Sequence, residues 1–247
     1  MDVPTTVRTA LEDQPIAGAI CLEAGAGLGN ATAGLLDAGA ERVYAVTDDA
    51  EHARTTRRRA AAAASDRNVV LEADLRALPL SANSIDVITA HGLCNVLAPP
   101  ALDAVAAELT RVAAPGCRLI VDDYEPLPAD APVSELFALE NAVAEQTDGG
   151  PALTFYPSDV IVALFGRYGW ESSRKTTLLD PVPWTRSHLD AHAEAVRARA
   201  KKLPDAARDR LVSEAERLVA TVGDDRCGKM YSVALCRPEG AVARSTR

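Results

Sequence analysis

The chain is 247 residues long, 48% hydrophobic, and carries a net charge of −9 with a pI near 5.0. That length accommodates one sizeable α/β domain with a buried core, and the acidic balance argues against a nucleic-acid partner, which would need a local basic groove. No apolar stretch approaches the roughly 18 residues of a membrane span, and the N-terminus lacks the charged and apolar regions of a signal peptide, so a cytoplasmic protein with no membrane partner is expected.

In chain order, the apolar run Ala19–Leu22 reads as the first strand. It leads into "LEAGAGLGN", where Gly25, Gly27 and Gly29 alternate, and then into a helical pattern over Asn30–Ala38. Glycines between a strand and a helix let the backbone turn sharply or approach a ligand closely. Further strands are predicted at Val43–Val46, Val69–Glu72, Ile85–Ala90 and Cys117–Val121, with helices at Ala50–Ala64 and Pro100–Ala113. The Pro-Gly pair in Ala114–Gly116 reads as the stop of the last of these helices. The basic run Arg54–Arg59 reads as a solvated helix face. Strands alternating with helices predict a parallel sheet covered on both faces, with ligands at the carboxyl ends of the strands.

The second half changes texture. Helices are predicted at Val133–Glu145 and Ser158–Tyr168, and strands at Trp170–Leu179 and Lys229–Cys236. Between those strands, Leu189, Val196, Ala200 and Leu203 recur at helical spacing, as do Leu211, Ala215, Leu218 and Val222. Pro204 and Asp205 punctuate the two series, which predicts a helical hairpin over about residues 186–222. The expected organisation is one domain over 1–247. Residues 1–126 form a cofactor-binding half, 127–238 a substrate-side half, and 239–247 a flexible tail.

Two ligand classes use a strand, a glycine turn and a helix N-terminus. Dinucleotide folds want G-x-G-x-x-G/A, and Asn30 stands at the third position here, against that class. The alternative is an acid followed by alternate glycines, Glu23-Ala24-Gly25-Ala26-Gly27-Leu28-Gly29. An acid at the strand's end suits a ligand bearing an ammonium or sulfonium group.

With this motif the chain resembles the class I S-adenosylmethionine-dependent methyltransferases of the small-molecule, "methyltransferase type 11" kind. "VYAVTDDAEHA" resembles that family's second strand and ribose-binding turn, and "EADLRALPLSANSIDVITAHGL" its D-x-x-x-L-P-x-x-x-x-S-x-D-x-V segment. "LTRVAAPGCRLIVDDYEP" resembles the helix, Pro-Gly turn and fifth strand. The resemblance spans Ala19 to Glu125 and implies a Rossmann-like, mostly parallel seven-stranded sheet with an antiparallel last strand. It also implies S-adenosyl-L-methionine as cofactor and methyl transfer to a small-molecule acceptor.

Carried over, the resemblance has Glu23 orient the ligand's amino end. Gly25, Ala26, Gly27 and Asn30 belong to the turn around its amino-acid moiety. Asp74 would accept from the adenine amine, the Leu75 amide would serve a ring nitrogen, and Ala90 and His91 would pass near the sulfonium. The family's ribose-binding acid falls on Thr47, followed by Asp48 and Asp49; Asp48 is the favoured ribose ligand, with Thr47 the alternative. The acceptor pocket is expected from the N-terminal segment, the turn after Ala90 and the segment Tyr124–Tyr168, with Cys94, Tyr124, Tyr156 and Trp184 as lining candidates. His91 is the candidate general base, against a packing role.

Other residues read more blandly. Asp122–Asp123 defaults to a solvated pair. His52, His188 and His192 default to surface positions with no metal site. The five cysteines lack a CxxC pair and read as reduced, buried thiols. Two rival readings stay open: a non-catalytic binding or regulatory subunit of the same fold, and a nicotinamide-dependent oxidoreductase. Self-association into a homodimer is also left open.

Overall fold

In the computed structural model, which describes residues 3–61, 66–223 and 225–240, the apolar runs of the first half lie side by side. Such runs are what parallel strands covered on both faces require. The elements are α1 (Thr5–Leu11), β1 (Ile20–Ala24), α2 (Asn30–Asp37), β2 (Arg42–Thr47), α3 (Ala50–Ala61), β3 (Asn68–Glu72), β4 (Ile85–His91), α4 (Pro99–Val112) and β5 (Ala113–Tyr124). They continue with α5 (Ser134–Asp148), α6 (Ser158–Arg167), β6 (Glu171–Leu179), β7 (Pro183–Trp184), α7 (Arg186–Ala200), α8 (Asp205–Val222), β8 (Asp225–Arg226) and β9 (Met230–Cys236). Seven strands form one sheet in the order β3-β2-β1-β4-β5-β9-β6, in which β9 runs antiparallel to both its neighbours. The last strand therefore sits inside the sheet, and β6 forms the edge, with Arg174 and Lys175 on it. Charged edges of this kind resist pairing with another chain.

One sheet face packs Cys21, Val43, Val87 and Ile120 against α1 and α2. The other packs Leu22, Ile88, Leu119 and Val233 against α4 and α6, including Phe165 and Trp170. A further core joins α5, α7 and α8 through Phe137, Trp184, Leu189, Val196 and Leu218. Met230 also belongs to it and faces Tyr124 across the β5–β9 pairing, so the helical cap stands at the carboxyl end of β5. The α7–α8 hairpin falls between β6 and β9, as its helical spacing predicts. Among the described residues, no helix is long and apolar enough to cross a membrane.

Two expectations change in the fold. Ala114–Gly116 does not follow the helix as a stop; α4 ends at Val112 and these residues already belong to β5. Ala113 is extended, and the Arg237 guanidinium donates to the carbonyls of Thr110 and Ala113, so the helix end is satisfied by a side chain. His192 is not on an open surface: its Nδ1 lies 2.7 Å from the carboxylate of buried Glu140, which also accepts from Arg199 at 3.1 Å. Helix α1 has no counterpart among the expected elements, because its seven residues are too few to show periodicity. Residues 62–64 of the expected third helix and 241–247 of the expected tail lie outside the described residues.

Helix α1 rests on α2 at Gly34, where an added Cβ would stand 2.7 Å from Val7 Cγ1 and 2.9 Å from Leu11 Cδ1. The carbonyls of Ala10 and Glu12 at its far end accept from Arg174. Gly34→Ala therefore sets a helix-propensity gain of up to about 1 kcal/mol against overpacking of about 1–3 kcal/mol. A lower urea midpoint, by about 1 kcal/mol net, is the expected outcome; a raised midpoint would show that α1 yields freely.

Candidate functional site

The glycine turn stands at the carboxyl end of β1, beside the ends of β2 and β4. The Gly25 and Ala26 amides both donate to the Val46 carbonyl, at 3.0 and 2.8 Å, which bends the chain away from the sheet as soon as β1 ends. Gly25, Gly27 and Gly29 have φ of +76°, +48° and +75°, a region that side chains rarely adopt. Two of the three are also packed. A Cβ on Gly25 would lie 2.9 Å from Leu93 Cδ1, and one on Gly29 would lie 3.2 Å from Thr56. Gly27 differs: its Cβ would meet only the Gly25 carbonyl, at 3.9 Å, so its face is open.

Residues that the sequence reading did not single out hold this turn. Thr56 on α3 donates to the Gly27 carbonyl at 3.2 Å, and Arg59 donates to the Leu28 carbonyl at 2.6 Å and to Asn30 Oδ1 at 3.0 Å. The basic run is thus not wholly solvated, because Arg59 reaches back across the turn. Asn30 opens α2 with its side-chain oxygen committed to that contact.

Glu23 is buried on β1 and accepts from Thr32, through the amide at 2.9 Å and through the hydroxyl. Burial pushes its pKa up to about 7, against the pull of the Thr32 hydrogen bonds and the His91 charge. Thr32 lies nine residues on, so no local sequence signal links the two.

At the end of β2, Thr47 is buried, and its hydroxyl accepts from the Asp49 amide at 3.2 Å. Asp49 in turn accepts from the amides of Glu51 and His52 at 2.7 and 2.8 Å, which caps the start of α3. Asp48 is exposed and makes no hydrogen bond among the described residues. Of the three candidates it alone has an uncommitted side chain.

Asp74 follows β3 and is exposed. Arg76 grips its carboxylate through Nε and Nη2, at 2.7–3.0 Å, and this contact holds the Asp74 pKa down to about 2. The charge of Asp48 also acts on Arg76, so Asp48 stands near this pair. The Leu75 side chain packs against the core.

Ala90 is buried opposite Ala24 and Val121, and His91 ends β4 opposite Asp122. His91 Nδ1 lies 3.1 Å from Asp122 Oδ2. Burial disfavours the imidazolium, but the Asp122 hydrogen bond and the charges of Asp122, Glu23 and Asp123 together hold the His91 pKa above its ordinary value. The default reading of Asp122–Asp123 as solvated is overturned: both are buried, because β5 lies inside the sheet between β4 and β9. Asp123 accepts from the Asn95 and Tyr124 amides at 3.0 and 2.8 Å, and burial raises its pKa to about 6. Asp122 Oδ1 and the Thr89 hydroxyl are buried without partners among the described residues.

Of the four acceptor-side candidates, Tyr124 and Trp184 pack together, with ring centroids 5.3 Å apart. Cys94 is buried in the core beside α4, where burial keeps its thiol protonated. Tyr156 ties two segments by donating to the Leu97 carbonyl at 2.8 Å. Tyr124 packs against Phe155 and Trp184, and the Trp184 indole donates to the Cys227 carbonyl at 3.1 Å. Helix α1 lies against α2 and the sheet, pinned by Arg174. All five cysteines are free thiols, three of them buried.

Comparison with known proteins agrees with this layout. Residues 21–116, from β1 to the start of β5, match the family model described as "Methyltransferase domain". The chain is similar to a Bacillus halodurans C-125 protein classed as a methyltransferase, with TM-score 0.66 and 13% identity, covering 95% of this chain and 100% of that one. It is also similar to geranyl diphosphate C-methyltransferase from Streptomyces coelicolor A3(2), solved with Mg2+, geranyl diphosphate and S-adenosyl-L-homocysteine. There the TM-score is 0.60 at 15% identity, covering 94% of this chain and 76% of that one. The [4+2]-cyclase SpnF is similar too, with TM-score 0.63 and 18% identity, covering 95% of this chain and 81% of that one. The sequence finds no match among curated proteins.

Proposed function

We propose that this chain, a class I methyltransferase in fold with a methyltransferase domain over residues 21–116, moves a methyl group from S-adenosyl-L-methionine to a small-molecule acceptor. The observation that carries the reading is the open face of Gly27 in a turn whose other glycines are packed. A backbone that stays bare only on its cleft side is suited to a ligand that approaches it closely. Glu23 behind the turn and Asp48 and Asp74 along the cleft give an acidic lining that suits a cationic nucleoside ligand.

When bound, that cofactor supplies an activated methyl group on a sulfonium. The chain's own contribution is proximity, orientation and exclusion of water. Gly25 and Gly27 let the main chain meet the amino-acid moiety, and Ala26 keeps the turn on the Val46 carbonyl. Asp48 accepts from the ribose hydroxyls. Arg76 holds the Asp74 carboxylate in one orientation toward the adenine amine, beside the Leu75 amide. Leu28 and Val96, each 54% exposed, sit on the turn after β1 and the segment after β4 and would offer the ligand apolar contact. SpnF illustrates that this fold also serves other chemistry, so the assignment rests on the site and not on the fold alone.

Titration with S-adenosyl-L-homocysteine tests the reading. Binding accompanied by a raised melting temperature is expected, because a ligand selective for the native state stabilises it by mass action. Asp48→Asn should weaken that binding by about 1–3 kcal/mol, the range for losing a hydrogen bond to a charged group. Thr47→Val should instead cost stability, by about 0.5–1.5 kcal/mol, since its hydroxyl serves the Asp49 amide. Absence of any binding by the folded wild type would remove the methyl-transfer assignment, and a larger loss of affinity in Thr47→Val than in Asp48→Asn would move the ribose to Thr47.

A further inference from the structure

We infer that His91 and Asp122 form a proton-accepting dyad, and that the acceptor methylated here carries an ionisable O–H or N–H on its reacting atom. This deepens the methyl-transfer reading and rests on it. Strand register sets the pair: His91 and Asp122 are direct partners across β4 and β5, with Nδ1 3.1 Å from Oδ2. With Nδ1 donating to this carboxylate oxygen, Nε2 is the nitrogen left with a lone pair. Nε2 has no hydrogen-bond partner among the described residues. The His91 side chain is 22% exposed, so a ligand can reach it. The turn that follows it abuts the glycine turn, where Leu93 closes on Gly25.

The surroundings argue against a mere tie between strands. Asp122 is buried, and among the described residues its second oxygen is unpartnered, as is the Thr89 hydroxyl two residues before His91. A buried carboxylate with a spare oxygen is a costly way to pin a ring, whereas stabilising an imidazolium requires its charge. Glu23 on β1 and Asp122 and Asp123 on β5 are the charged groups acting on the ring, all three acidic.

Acceptor chemistry follows. A carboxylate or thioether attacks a methyl group without losing a proton, and a base beside it would be idle. A hydroxyl or protonated amine must surrender one. As the acceptor's oxygen or nitrogen bonds to the methyl carbon, that carbon's bond to the sulfonium sulfur breaks and its electron pair stays on sulfur. The acceptor's proton passes to Nε2, Asp122 stabilises the imidazolium, and the proton leaves to solvent after product release. Nothing is oxidised or reduced.

The test combines imidazole titration by NMR on the full-length protein with methyl transfer followed by mass spectrometry. His91→Gln assigns the His91 resonance, and Asp122→Asn, which preserves shape, should lower the pKa of His91. S-adenosylmethionine is offered with two acceptor panels: phenols, alcohols and primary amines in one, carboxylates and thioethers in the other. Products are expected from the first panel only. The wild-type rate should rise with pH through the pKa that NMR gives for His91, and that inflection should move with it in Asp122→Asn. His91→Gln should lose 100-fold or more in kcat, and Asp122→Asn about 10-fold or more with KM little changed. Methylation confined to the second panel, a His91→Gln rate near wild type, or an inflection that ignores the Asp122→Asn shift would overturn the dyad. So would S-adenosylhomocysteine binding with no transfer to any first-panel acceptor, whereas failure to bind S-adenosylhomocysteine defeats the methyl-transfer reading itself.

Discussion

Gly27→Val is expected to cost at least 100-fold in S-adenosylhomocysteine affinity while leaving the protein folded. A Cβ there meets nothing nearer than the Gly25 carbonyl at 3.9 Å, so the first added carbon makes no clash in the ligand-free chain. Its cost to the fold is backbone strain at φ +48°, about 1–2 kcal/mol for a residue held in the left-handed region. The cost to binding is larger, because a branched side chain fills the space through which the main chain would touch the ligand. A 100-fold loss is about 2.8 kcal/mol at 1.4 kcal/mol per decade, less than the cost of excluding a whole contact surface. Gly18→Val is the matched control: φ there is +76° with nothing within 4 Å, and it lies at the opposite end of β1. It should lower the melting temperature similarly and leave affinity unchanged. Calorimetric titration of the two variants separates strain from obstruction; unchanged affinity in Gly27→Val would place the ligand elsewhere.

How much of this was legible in the sequence depends on the range of the interaction concerned. The parallel strands and the glycine turn are local: each is announced by an apolar run or by glycine spacing, and β1, β2 and β4 emerge within a residue or two of expectation. The helical hairpin is also local, because periodicity survives in α7 and α8. What escaped depends on partners far apart in sequence. Asp122 and Asp123 read as solvated until β9, more than a hundred residues on, covers β5. Arg59 reads as a surface charge until the turn is folded beneath it. The extended stretch Ala113–Gly116 follows its helix without a loop because Arg237 supplies the missing hydrogen bonds from the far end of the chain. Thr47 and Asp49 illustrate the local case: the Asp49 carboxylate caps α3, and the Thr47 hydroxyl accepts from the Asp49 amide.

Glu23→Gln should make the protein more stable above pH 7 and a poorer ligand binder at the same time. In the folded chain Glu23 titrates near 7, against an ordinary value of 4.5, because burial disfavours its charge. Below 4.5 folded and unfolded chains both hold the proton, and the stability it contributes is complete. Between 4.5 and 7 only the folded chain keeps it, so stability falls as pH rises; above 7 the contribution is gone. That span corresponds to about 3 kcal/mol at roughly 1.4 kcal/mol per pH unit. Glutamine is neutral throughout and still offers Thr32 an amide oxygen, so its advantage over wild type should be small near pH 5 and largest at pH 8. Asp123, raised to about 6, remains in both proteins and contributes the same decline to each. His91 loses an acidic neighbour in the variant, so its own proton is released at lower pH. Ligand binding runs the other way: a cation near Glu23 favours the carboxylate, so wild-type affinity should rise from pH 6 to pH 8 and that of Glu23→Gln should stay flat and weaker. Urea melts at pH 5, 6.5 and 8, with S-adenosylhomocysteine titrations at pH 6 and 8, read both effects. A constant stability difference between the two proteins across that range would mean that Glu23 does not titrate there, and equal pH slopes in binding would detach it from the ligand.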